Sequence, residues 1–501
     1  MAAVEKLPVA NEPNVVIPLA ISYNSRAIAG FTNTITNAVD QRKINTIYEP
    51  VTNTLSGNTT LYLAKRPGVT TDGSTYGTGG QVAYLWDVAA GASASSAANR
   101  WIFSTSGNDI RASDNSSTTV IVTAANYAPA YVDKCFITST DTSVVQLRDN
   151  TGAQRVFYSS AIGVWTEITD SVFTTLANQG KMEFINGRAF VISRTGARIY
   201  NSSLNSISVW PSTSFLTKQV AQDIATGLAK FQNQIIAFGE GTMEVFRDIG
   251  NPTGSSLEAQ TELFQKVGLP SPSVVGMRHY YAVVGNLMFW RGSNPLGFYA
   301  WDGQKVEKVS TAAIDKILAE RQVYFVSPMD IKGTKAVVVG LDLTTAATQR
   351  ALVFIPEWKE WFEWQSTVFV PQTSPRLLDV CLGVGSSQHK LYQLSSTTDN
   401  WQDSGTNYTV THQFRVPKQG NGWDRMSMFG VEGDTARSAQ TLSVEFSDND
   451  YQTFQTARTI DLTSVDKQLY NCGGYRTPRS VRLSYTGANG LRLQNAIARV
   501  L

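Results

Sequence analysis

The residues best suited to acid–base or metal chemistry are scattered. The histidines are His279, His389 and His412, and the cysteines are Cys135, Cys381 and Cys472. Imidazole titrates near neutral pH and binds metals, but a metal site needs several such groups at short, regular spacing. Three distant cysteines also argue against a disulfide framework. We therefore expect packing or surface histidines, no metal, no cofactor, and folding in a reducing cytoplasm.

Motifs for nucleotide or acyl chemistry are absent from the sequence. The chain contains no G-x-x-x-x-G-K-[ST], no G-x-S-x-G and no H-E-x-x-H. Glycoside hydrolysis commonly needs two carboxylates about 5 to 10 Å apart. The sequence has 40 acidic residues, but none lies in a stretch arranged for that task, and Asp302 and Asp342 are interpreted as turn residues. The sequence predicts a protein that is not an enzyme.

One short segment keeps a glycan-cleaving alternative open. The stretch SDNDYQTF, Ser447 to Phe454, resembles the Asp-box turn S-x-D-x-G-x-T-W of sialidase-like propellers. It departs from that pattern with Asn449 at the Asp position and Tyr451 at the Gly position. An Asp box is a structural turn that supplies no catalytic group, and this one is a single copy. The alternative function is therefore a receptor-binding or glycan-hydrolysing propeller.

All charged side chains in the last 35 or so residues are basic. No Asp or Glu follows the first of six cations, which are Lys467, Arg476, Arg479, Arg482, Arg492 and Arg499. Cations in such a segment can contact DNA phosphates or the carboxylates of a protein partner. The remaining interpretation is a solvated face of the domain. These six residues are the candidates for DNA or partner contact.

A tryptophan cluster also has two interpretations. In EWKEWFEW, three rings three residues apart, Trp358, Trp361 and Trp364, would align on a helix and offer a sugar-stacking surface. The preceding β-type run and Pro356 instead favour a hairpin with EWKE as its turn. Packing in a core or between blades is the favoured role.

The composition is that of a polar-surfaced β protein. Charged residues make up 16% of the 501 residues and the net charge is +2, so the chain as a whole generates no strong field for nucleic acid or anionic membrane. The N-terminus shows no secretion signal and no segment is apolar enough to span a bilayer. A protein of this kind that works outside the cell would leave by lysis or inside a particle.

Strand-turn-strand units recur through the middle of the chain. They begin near Val82, Val132, Phe184, Phe231, Ala282, Lys335 and Val380, roughly 45 to 53 residues apart. That period is typical of four-stranded propeller blades. Aromatic residues at matching positions, such as Trp165, Trp210, Phe246 and Trp301, are expected to wedge between blades. The alternative is a pair of β-sandwiches with coincidental spacing.

Two helical connectors are predicted. In FYAWDGQKVEKVSTAAIDKIL, Asp302-Gly303 is predicted as a two-residue hairpin turn, and Ser310 as the N-cap of a helix from Ser310 to Glu320. Its apolar residues are expected to cover the sheet where the chain crosses between blades. The stretch SLEAQTELFQKVG is predicted as a second connector of this kind.

The predicted fold class is all-β: a propeller of six or seven blades with a C-terminal β-sandwich. The expected domains are an N-terminal arm with a first strand over 1–75, the propeller over 76–402 and the sandwich over 403–501. Beyond residue 403 the strands alternate with period 2 and are separated by Asn, Asp and Gly turns.

Several segments resemble one known family. FGEGTMEVFRDIGNPTG, FQKVGLPSPSVVG and NLMFWRGSNPLGFYAWDGQKVEKVSTAAIDKIL occur in the order and spacing seen in the tail hub, or packaged DNA stabilisation, proteins of short-tailed bacteriophages. NTIYEPVTNTLSGNTTLYLAKRPGV is similar to that family's N-terminal region, which ends in an RPG turn. The resemblance covers most of the chain and is most specific in VSTAAIDKIL.

The resemblance implies a virion protein made in the host cytoplasm and placed in the tail. It implies a hexameric ring that extends the portal channel and helps retain packaged DNA. The implied partners are adaptor proteins, tail fibres or spikes, and a needle or plug protein. Viral DNA would pass without sequence specificity, and no membrane-spanning segment is expected.

Overall fold

The computed structural model describes most of the chain from residue 14 to residue 501. The residues outside the description are 1–13, 21–41, 53–58, 77–81, 90–98, 115, 137–140, 150, 152, 162–163, 177, 194, 219, 222, 252, 271–278, 342–348, 375, 384–388, 396–399, 417–421, 437 and 450. Asp342, predicted in a turn, therefore lies outside the described residues.

Strands make up nearly all of the regular structure. The first are β1 Asn14–Pro18, β2 Arg42–Ile44, β3 Thr46–Thr52, β4 Thr59–Lys65, β5 Val69–Thr71, β6 Val82–Val88, β7 Arg100–Ser106, β8 Asp109–Ser113, β9 Thr118–Thr123, β10 Ala128–Phe136, β11 Asp141–Arg148, β12 Gln154–Ala161 and β13 Val164–Glu167. They continue with β14 Asn178–Ile185, β15 Arg188–Ser193, β16 Arg198–Asn201, β17 Phe215–Thr217, β18 Ala225–Phe231, β19 Gln234–Gly239, β20 Met243–Asp248, β21 Leu257–Gln265, β22 Tyr281–Val284, β23 Leu287–Ser293, β24 Leu296–Trp301 and β25 Val306–Lys308. The last are β26 Val323–Ile331, β27 Thr334–Leu341, β28 Gln349–Ile355, β29 Glu360–Ser366, β30 Phe369–Ser374, β31 Leu377–Gly383, β32 Leu391–Leu394, β33 Thr409–Val416, β34 Asp424–Gly433, β35 Thr441–Ser447, β36 Arg458–Asp461, β37 Gln468–Tyr475, β38 Arg479–Thr486 and β39 Arg492–Val500.

Helices are few and short among the described residues. They are α1 Ser171–Thr175, α2 Ala312–Glu320 and a 3-10 turn at Thr195–Ala197. None is long and apolar enough to span a bilayer. The chain divides into two compact units: residues 1–69, 357–365 and 395–501 form one, and residues 70–356 and 366–394 form the other.

The second unit is a β-propeller of seven successive antiparallel sheets. Sheets 1 to 5 are the four-stranded β6–β9, β10–β13, β14–β17, β18–β21 and β22–β25; β26–β28 belong to sheet 6, and sheet 7 has the order β30-β31-β32-β5. The first strands of neighbouring sheets contact one another, including β6 with β10, β14 with β18, β26 with β30, and β30 with β6. The last of these contacts closes the circle, so the predicted propeller is confirmed and its blade count is seven.

Residues that precede sheet 1 in the chain close the circle by pairing with sheet 7. The Asp72 amide donates to the Leu391 carbonyl (3.0 Å), and the Tyr76 amide donates to the His389 carbonyl (2.9 Å). Both bonds place residues that precede sheet 1 on the last sheet. This pairing completes the outer edge of sheet 7, so the first and last sheets of the propeller are joined without a gap.

Aromatic rings pack between adjacent sheets, as the spacing predicts. Trp165 of sheet 2 lies 5.1 Å from the ring of Trp101 in sheet 1, and Trp301 of sheet 5 lies 5.1 Å from Phe231 of sheet 4. Buried Trp210 belongs to the core between sheets 2 and 3. Each such ring removes about 150–250 Å² of surface from water, which makes the boundary between blades a main source of stability.

The first unit contains a β-sandwich. One sheet has the order β3-β4-β39-β34-β37 with β1 also paired to β39, and the other contains β2, β33, β38, β35 and β36. Burial alternates along β33 and β38, so one face of each strand points to the core. The stacked pair Phe414–Phe429 (6.4 Å between centroids) and the edge-to-face pair Phe429–Phe446 (5.6 Å) link the two sheets.

Helix α2 forms close to its predicted position. Thr311 is its N-cap and accepts from the Ile314 amide (3.5 Å), whereas Ser310, the predicted cap, accepts from the Phe298 amide (2.9 Å) instead. Ile314 and Leu318 are buried, and the helix packs on β24. The predicted role, an apolar helix face covering a propeller sheet, is confirmed.

Two local predictions are wrong. SLEAQTELFQKVG forms strand β21, the fourth strand of sheet 4, because pairing with β20 (Val245 opposite Gln260) overrides its helix propensity. The Asp302-Gly303 turn has four residues, since Trp301 pairs with Val306. Asp302 stabilises the longer loop by accepting from the Gln304 and Lys305 amides (2.8 and 2.7 Å).

Candidate functional site

A network of ion pairs links four propeller sheets through their first strands and one loop. Asp133 on β10 lies 2.5 Å from Nζ of Lys181 on β14 and 3.1 Å from Nη2 of Arg376, in the loop between β30 and β31. The other guanidinium nitrogen of Arg376 is 2.5 Å from the Asp87 carboxylate on β6. We call Asp87, Asp133, Lys181, Glu183 and Arg376 the propeller network. It joins sheets 7, 1, 2 and 3.

The network extends to sheet 5 through a tyrosine. Glu183, 2% exposed, accepts from the Tyr281 hydroxyl (2.8 Å) and lies 3.6 Å from the Lys181 ammonium. Burial raises the pKa of Glu183 to about 7, opposed by the attraction of Lys181 and assisted by the repulsion of Asp133. Three carboxylates face two cations, so one carboxyl group retains a proton more readily than usual.

The two cations have the opposite effect on Asp133. Burial disfavours its charged form, but Lys181 and Arg376 outweigh burial and hold the pKa of the Asp133 carboxyl well below its usual range. At neutral pH this carboxylate is ionised and bridges both cations. The network therefore binds neighbouring blades together, and it contains no nucleophile with a paired base.

A second cluster, in the sandwich unit, surrounds the RPG turn. Arg66 is completely buried and donates to both carboxylate oxygens of Asp403 (2.9 and 2.6 Å) and to Oδ1 of Asn45 (3.1 Å). Its guanidinium carbon lies 3.8 Å from the Tyr408 ring centre. At Gly68 a Cβ atom would meet the Gln402 carbonyl at 2.3 Å, so only glycine fits. The residues of the RPG turn are therefore explained by packing and hydrogen bonding inside the sandwich unit.

The six predicted contact residues do not form one strip in space. Arg479 is 1% exposed and pairs with Asp448 (2.7 Å), while Lys467 is buried and donates to the Thr435 hydroxyl (3.0 Å). Arg482 pairs with Glu445 (2.6 Å) on the outer face of one sheet. Arg492 belongs to the other sheet and donates to Glu49 (2.8 Å).

The remaining two cations lie on the sheet of β34, β37 and β39. Arg499 donates to Oδ1 of Asn14 (3.2 Å), and the guanidinium of Arg476 lies 4.8 Å above the Trp423 ring. Trp423 is 65% exposed. Contact of these cations with DNA or a partner stays a prediction.

The segment that resembles an Asp box adopts a hydrogen-bonded turn. Asn449 accepts from the Thr453 amide (2.9 Å), and the Ser447 hydroxyl accepts from the Tyr451 amide (3.2 Å). Tyr451 has φ of 64°, the conformation that favours the glycine of the motif. The segment follows β35 in the sandwich and fixes a turn there.

The histidines are packing residues. His412 is buried and lines a small apolar cavity in the sandwich with Leu483 and Tyr485, and burial lowers its pKa to about 3, assisted by Lys43. Neither of its ring nitrogens has a hydrogen-bond partner among the described residues. Burial also lowers the pKa of His389. Across the described ranges no three His, Cys, Asp or Glu side chains are placed to hold a metal ion.

The tryptophan cluster is also structural. Residues 356–359 form the turn, and Trp358, Trp361 and Trp364 are all at least nine-tenths buried. The indole nitrogen of Trp364 donates to the Thr46 carbonyl (3.1 Å) within the sandwich unit. The packing interpretation is confirmed.

The sequence offered one signal for the propeller network that motif searches overlooked. Charged residues interrupt otherwise apolar strands in YLWDV, YVDKCF and GKMEF. A charge at a buried strand position needs a partner, because an isolated buried charge is costly. The partners themselves lie on other blades, so local spacing does not identify them.

A closed seven-sheet propeller, held by internal ion pairs, together with a sandwich, defines a structural β-propeller protein. Residues 51–347, more than half of the chain, match the family described as Bacteriophage P22 Gp10, beta-propeller. The chain belongs to that family. Its role is structural, in a bacteriophage particle.

Three solved structures show distant likeness to this chain. A putative 6-phosphogluconolactonase from Bacteroides uniformis is 13% identical over 67% of this chain and 92% of that one, with a TM-score of 0.36. The Nup133 propeller of Vanderwaltozyma polyspora is 10% identical over 77% and 98%, with a TM-score of 0.30. Trypanosoma rangeli sialidase is 8% identical over 91% and 94%, with a TM-score of 0.30. These likenesses carry no functional argument. No curated protein matches the chain.

Proposed function

We propose that this protein is a non-enzymatic tail component of the phage particle, forming a hexameric ring that acts as the tail nozzle. In this function the ring extends the portal channel and helps retain packaged DNA. Family membership over residues 51–347 is the single observation that carries the proposal. The mechanism is geometric, through a channel and docking surfaces.

The physical properties of the propeller suit such a part. A circle of sheets closed by paired strands leaves only short edges, and the ion pairs from Asp133 to Lys181 and Arg376 tie the blades together. A block of this kind transmits load without opening. A closed set of identical contacts between such blocks would generate a ring.

The proposed DNA path lies in the ring and not along the axis of one propeller. Duplex DNA has a major groove about 12 Å wide and needs a broad channel, whereas the side chains of the propeller network contact one another at hydrogen-bond distances across four sheets. A conduit also benefits from weak charge, since firm phosphate contacts repeated around a ring would slow the passage of DNA. The net charge of +2 is consistent with that requirement.

The proposed partners are portal-adaptor proteins, tail fibres or spikes, and a needle or plug protein, with the virion tail as location. The domain division into an arm at 1–75, a propeller at 76–402 and a sandwich at 403–501 stays a prediction, and within its first part β3 and β4 pair into the sandwich sheet beside β39. Arg476 is the member of the basic segment that an approaching partner would reach most readily, because its side chain is exposed beside Trp423 and forms no ion pair among the described residues.

Native mass spectrometry of the purified protein and of isolated tails tests the proposal. We expect a six-fold mass that co-purifies with portal and adaptor proteins. A monomer or trimer that binds carbohydrate would contradict the ring and favour a receptor-binding or glycan-hydrolysing propeller. Release of reducing sugar from host surface polysaccharide would establish that alternative.

A further inference from the structure

The sandwich sheet that contains β34 carries opposite charges at the two ends of this strand. At the start of β34 lies a set of residues that we call the arginine end: the exposed residues Trp423, Arg425, Arg476 and Leu501, and the half-buried Arg499. Arg425 and Leu501 are joined by two backbone hydrogen bonds (3.0 and 2.8 Å), and Arg476 stacks on Trp423. Trp423 and Leu501 are 65% and 55% exposed.

Two of the three arginines at the arginine end have no carboxylate partner among the described residues. Arg425 and Arg476 form no ion pair with any carboxylate among the described residues. The neighbouring carboxylate, Asp424, is buried. Exposed Trp and Arg side chains with few acids are the composition found at the energetic centres of protein interfaces.

The other end of β34 is acidic. We call its exposed residues the acid end: Glu432, Asp434, Asp461, Val465 and Asp466. The Ala436 amide donates to the Leu462 carbonyl (3.0 Å) and the Val431 amide to the Lys467 carbonyl (3.1 Å), which holds the 461–466 loop beside the end of β34. Val465, at 94%, is the most exposed large apolar side chain of the described residues.

The acid end keeps a negative charge after its local cations are counted. Arg492 pairs with Glu49 and with Asp434 (2.5 and 3.3 Å), and buried Lys467 lies nearby. Among the residues that the structure describes here, and including Glu49, five carboxylates stand against these two cations. Strand β34 has ten residues at about 3.3 Å each, so the two ends are separated by about 30 Å.

Two different, complementary surfaces on opposite ends of one domain suit a head-to-tail contact between copies. We propose that the acid end of one copy binds the arginine end of the next copy, with Val465 seated against Trp423. An apolar contact ringed by opposite charges excludes water at its centre and fixes orientation at its rim. This inference rests on the proposed ring, for which it names the contact between neighbouring subunits.

Nucleic acid is the weaker candidate for the arginine end. A phosphate track needs several cations in line, but Arg482 and Arg492 point elsewhere and are paired with Glu445 and Glu49. Trp423 and Leu501 would also stay exposed beside a phosphate backbone. A protein partner would cover the two apolar side chains and pair with the three arginines, so it accounts for all five residues of the arginine end.

Charge reversal at each end, followed by combination, tests the contact by native mass spectrometry and analytical ultracentrifugation. The arginine-end variant is R425E/R476E and the acid-end variant is D461R/D466R. We expect each variant to lose the wild-type ring and run as a monomer, with a shift in dissociation constant of 100-fold or more. Combining all four substitutions in one chain should restore the ring. K316E/K335E, on the propeller surface, is the matched control and should leave the ring intact.

The outcomes separate this contact from the ring itself. Rings that survive both end variants would overturn the contact while the proposed nozzle stands. Failure of the four-fold variant to recover the ring, with both parents folded by their melting temperatures, would also overturn it. A wild-type chain that stays monomeric would contradict both proposals. If R425E/R476E keeps the ring but loses binding to a 30-base-pair DNA duplex, the arginine end is a nucleic-acid surface instead.

Discussion

At the scale of single residues, the structure shows how buried charges are kept in a largely apolar propeller. Asp133 is stabilised by two cations, whereas Glu183 shares Lys181 with it and accepts from the Tyr281 hydroxyl. The result is one carboxylate that ionises easily and one that does not. The pH dependence of stability should report this difference.

We predict that Glu183→Gln removes a pH-dependent loss of stability. Burial raises the pKa of Glu183 to about 7 from an unfolded value near 4.5, so the folded state holds the proton more tightly. The free energy of unfolding should therefore fall as pH rises from about 4.5 through 7, by up to about 3 kcal/mol from this group. Urea unfolding at pH 5 and pH 8 measures the slope.

The control for this prediction is Glu258→Gln on β21. Glu258 is 52% exposed by side chain and pairs only with half-exposed Arg247 (3.3 Å), so its removal should leave the slope unchanged. The Glu183 variant should gain stability relative to wild type at pH 8 and little at pH 5. An equal pH slope in wild type and Glu183→Gln would show that this carboxyl group ionises normally.

The family resemblance predicts the RPG turn, and the structure gives its physical reasons. Arg66 pairs with Asp403, and at Gly68 there is no room for a Cβ atom. The basic segment was a weaker inference. Successive residues of a strand point to opposite faces, and this segment of the chain runs through both sheets of the sandwich. Six cations that are close in sequence therefore need not share one surface.

At the scale of elements, periodicity determined most of what could be predicted. Units of about 45 to 53 residues predict the propeller, and the spacing of apolar residues in α2 predicts which face of the helix is buried. The failure at SLEAQTELF has a physical reason. Glu, Ala and Leu favour a helix locally, but a short helix without tertiary packing is marginal in water, whereas pairing with β20 places the segment in a four-stranded sheet.

We predict that Ile314→Asp destabilises the propeller by about 2–4 kcal/mol, because the substitution places a charge against β24 where a buried side chain now packs. Thermal melting followed by circular dichroism measures the loss. Ala312→Asp is the control: Ala312 is exposed in the first turn of α2, where an acid is favourable. An unchanged melting temperature for Ile314→Asp would mean that the helix does not seal the sheet.

At the scale of the whole molecule, the propeller depends on a closure that no local pattern reveals. Tyr76 precedes sheet 1, yet its side chain is completely buried in a cluster with Trp86 and Ile102 of sheet 1 and with Val380 and Leu391 of sheet 7. Its partners in sheet 7 are about 300 residues away along the chain. Such a contact is costly in loop-closure entropy and forms only when the intervening blades are in place.

We predict that Tyr76→Ala weakens the propeller as a unit. Removing a fully buried ring should cost about 3–5 kcal/mol, and the loss should appear as earlier proteolysis between sheets 7 and 1, because the cluster spans that boundary. Tyr76→Phe is the matched control: it keeps the ring and loses the hydroxyl's hydrogen bonds, including the one to Asp72 (3.0 Å), at a cost of about 1 kcal/mol. Limited proteolysis with mass spectrometry locates the first cut. If Tyr76→Ala lowers stability without moving that cut, the closure is no weaker than the other boundaries, and the circle opens elsewhere.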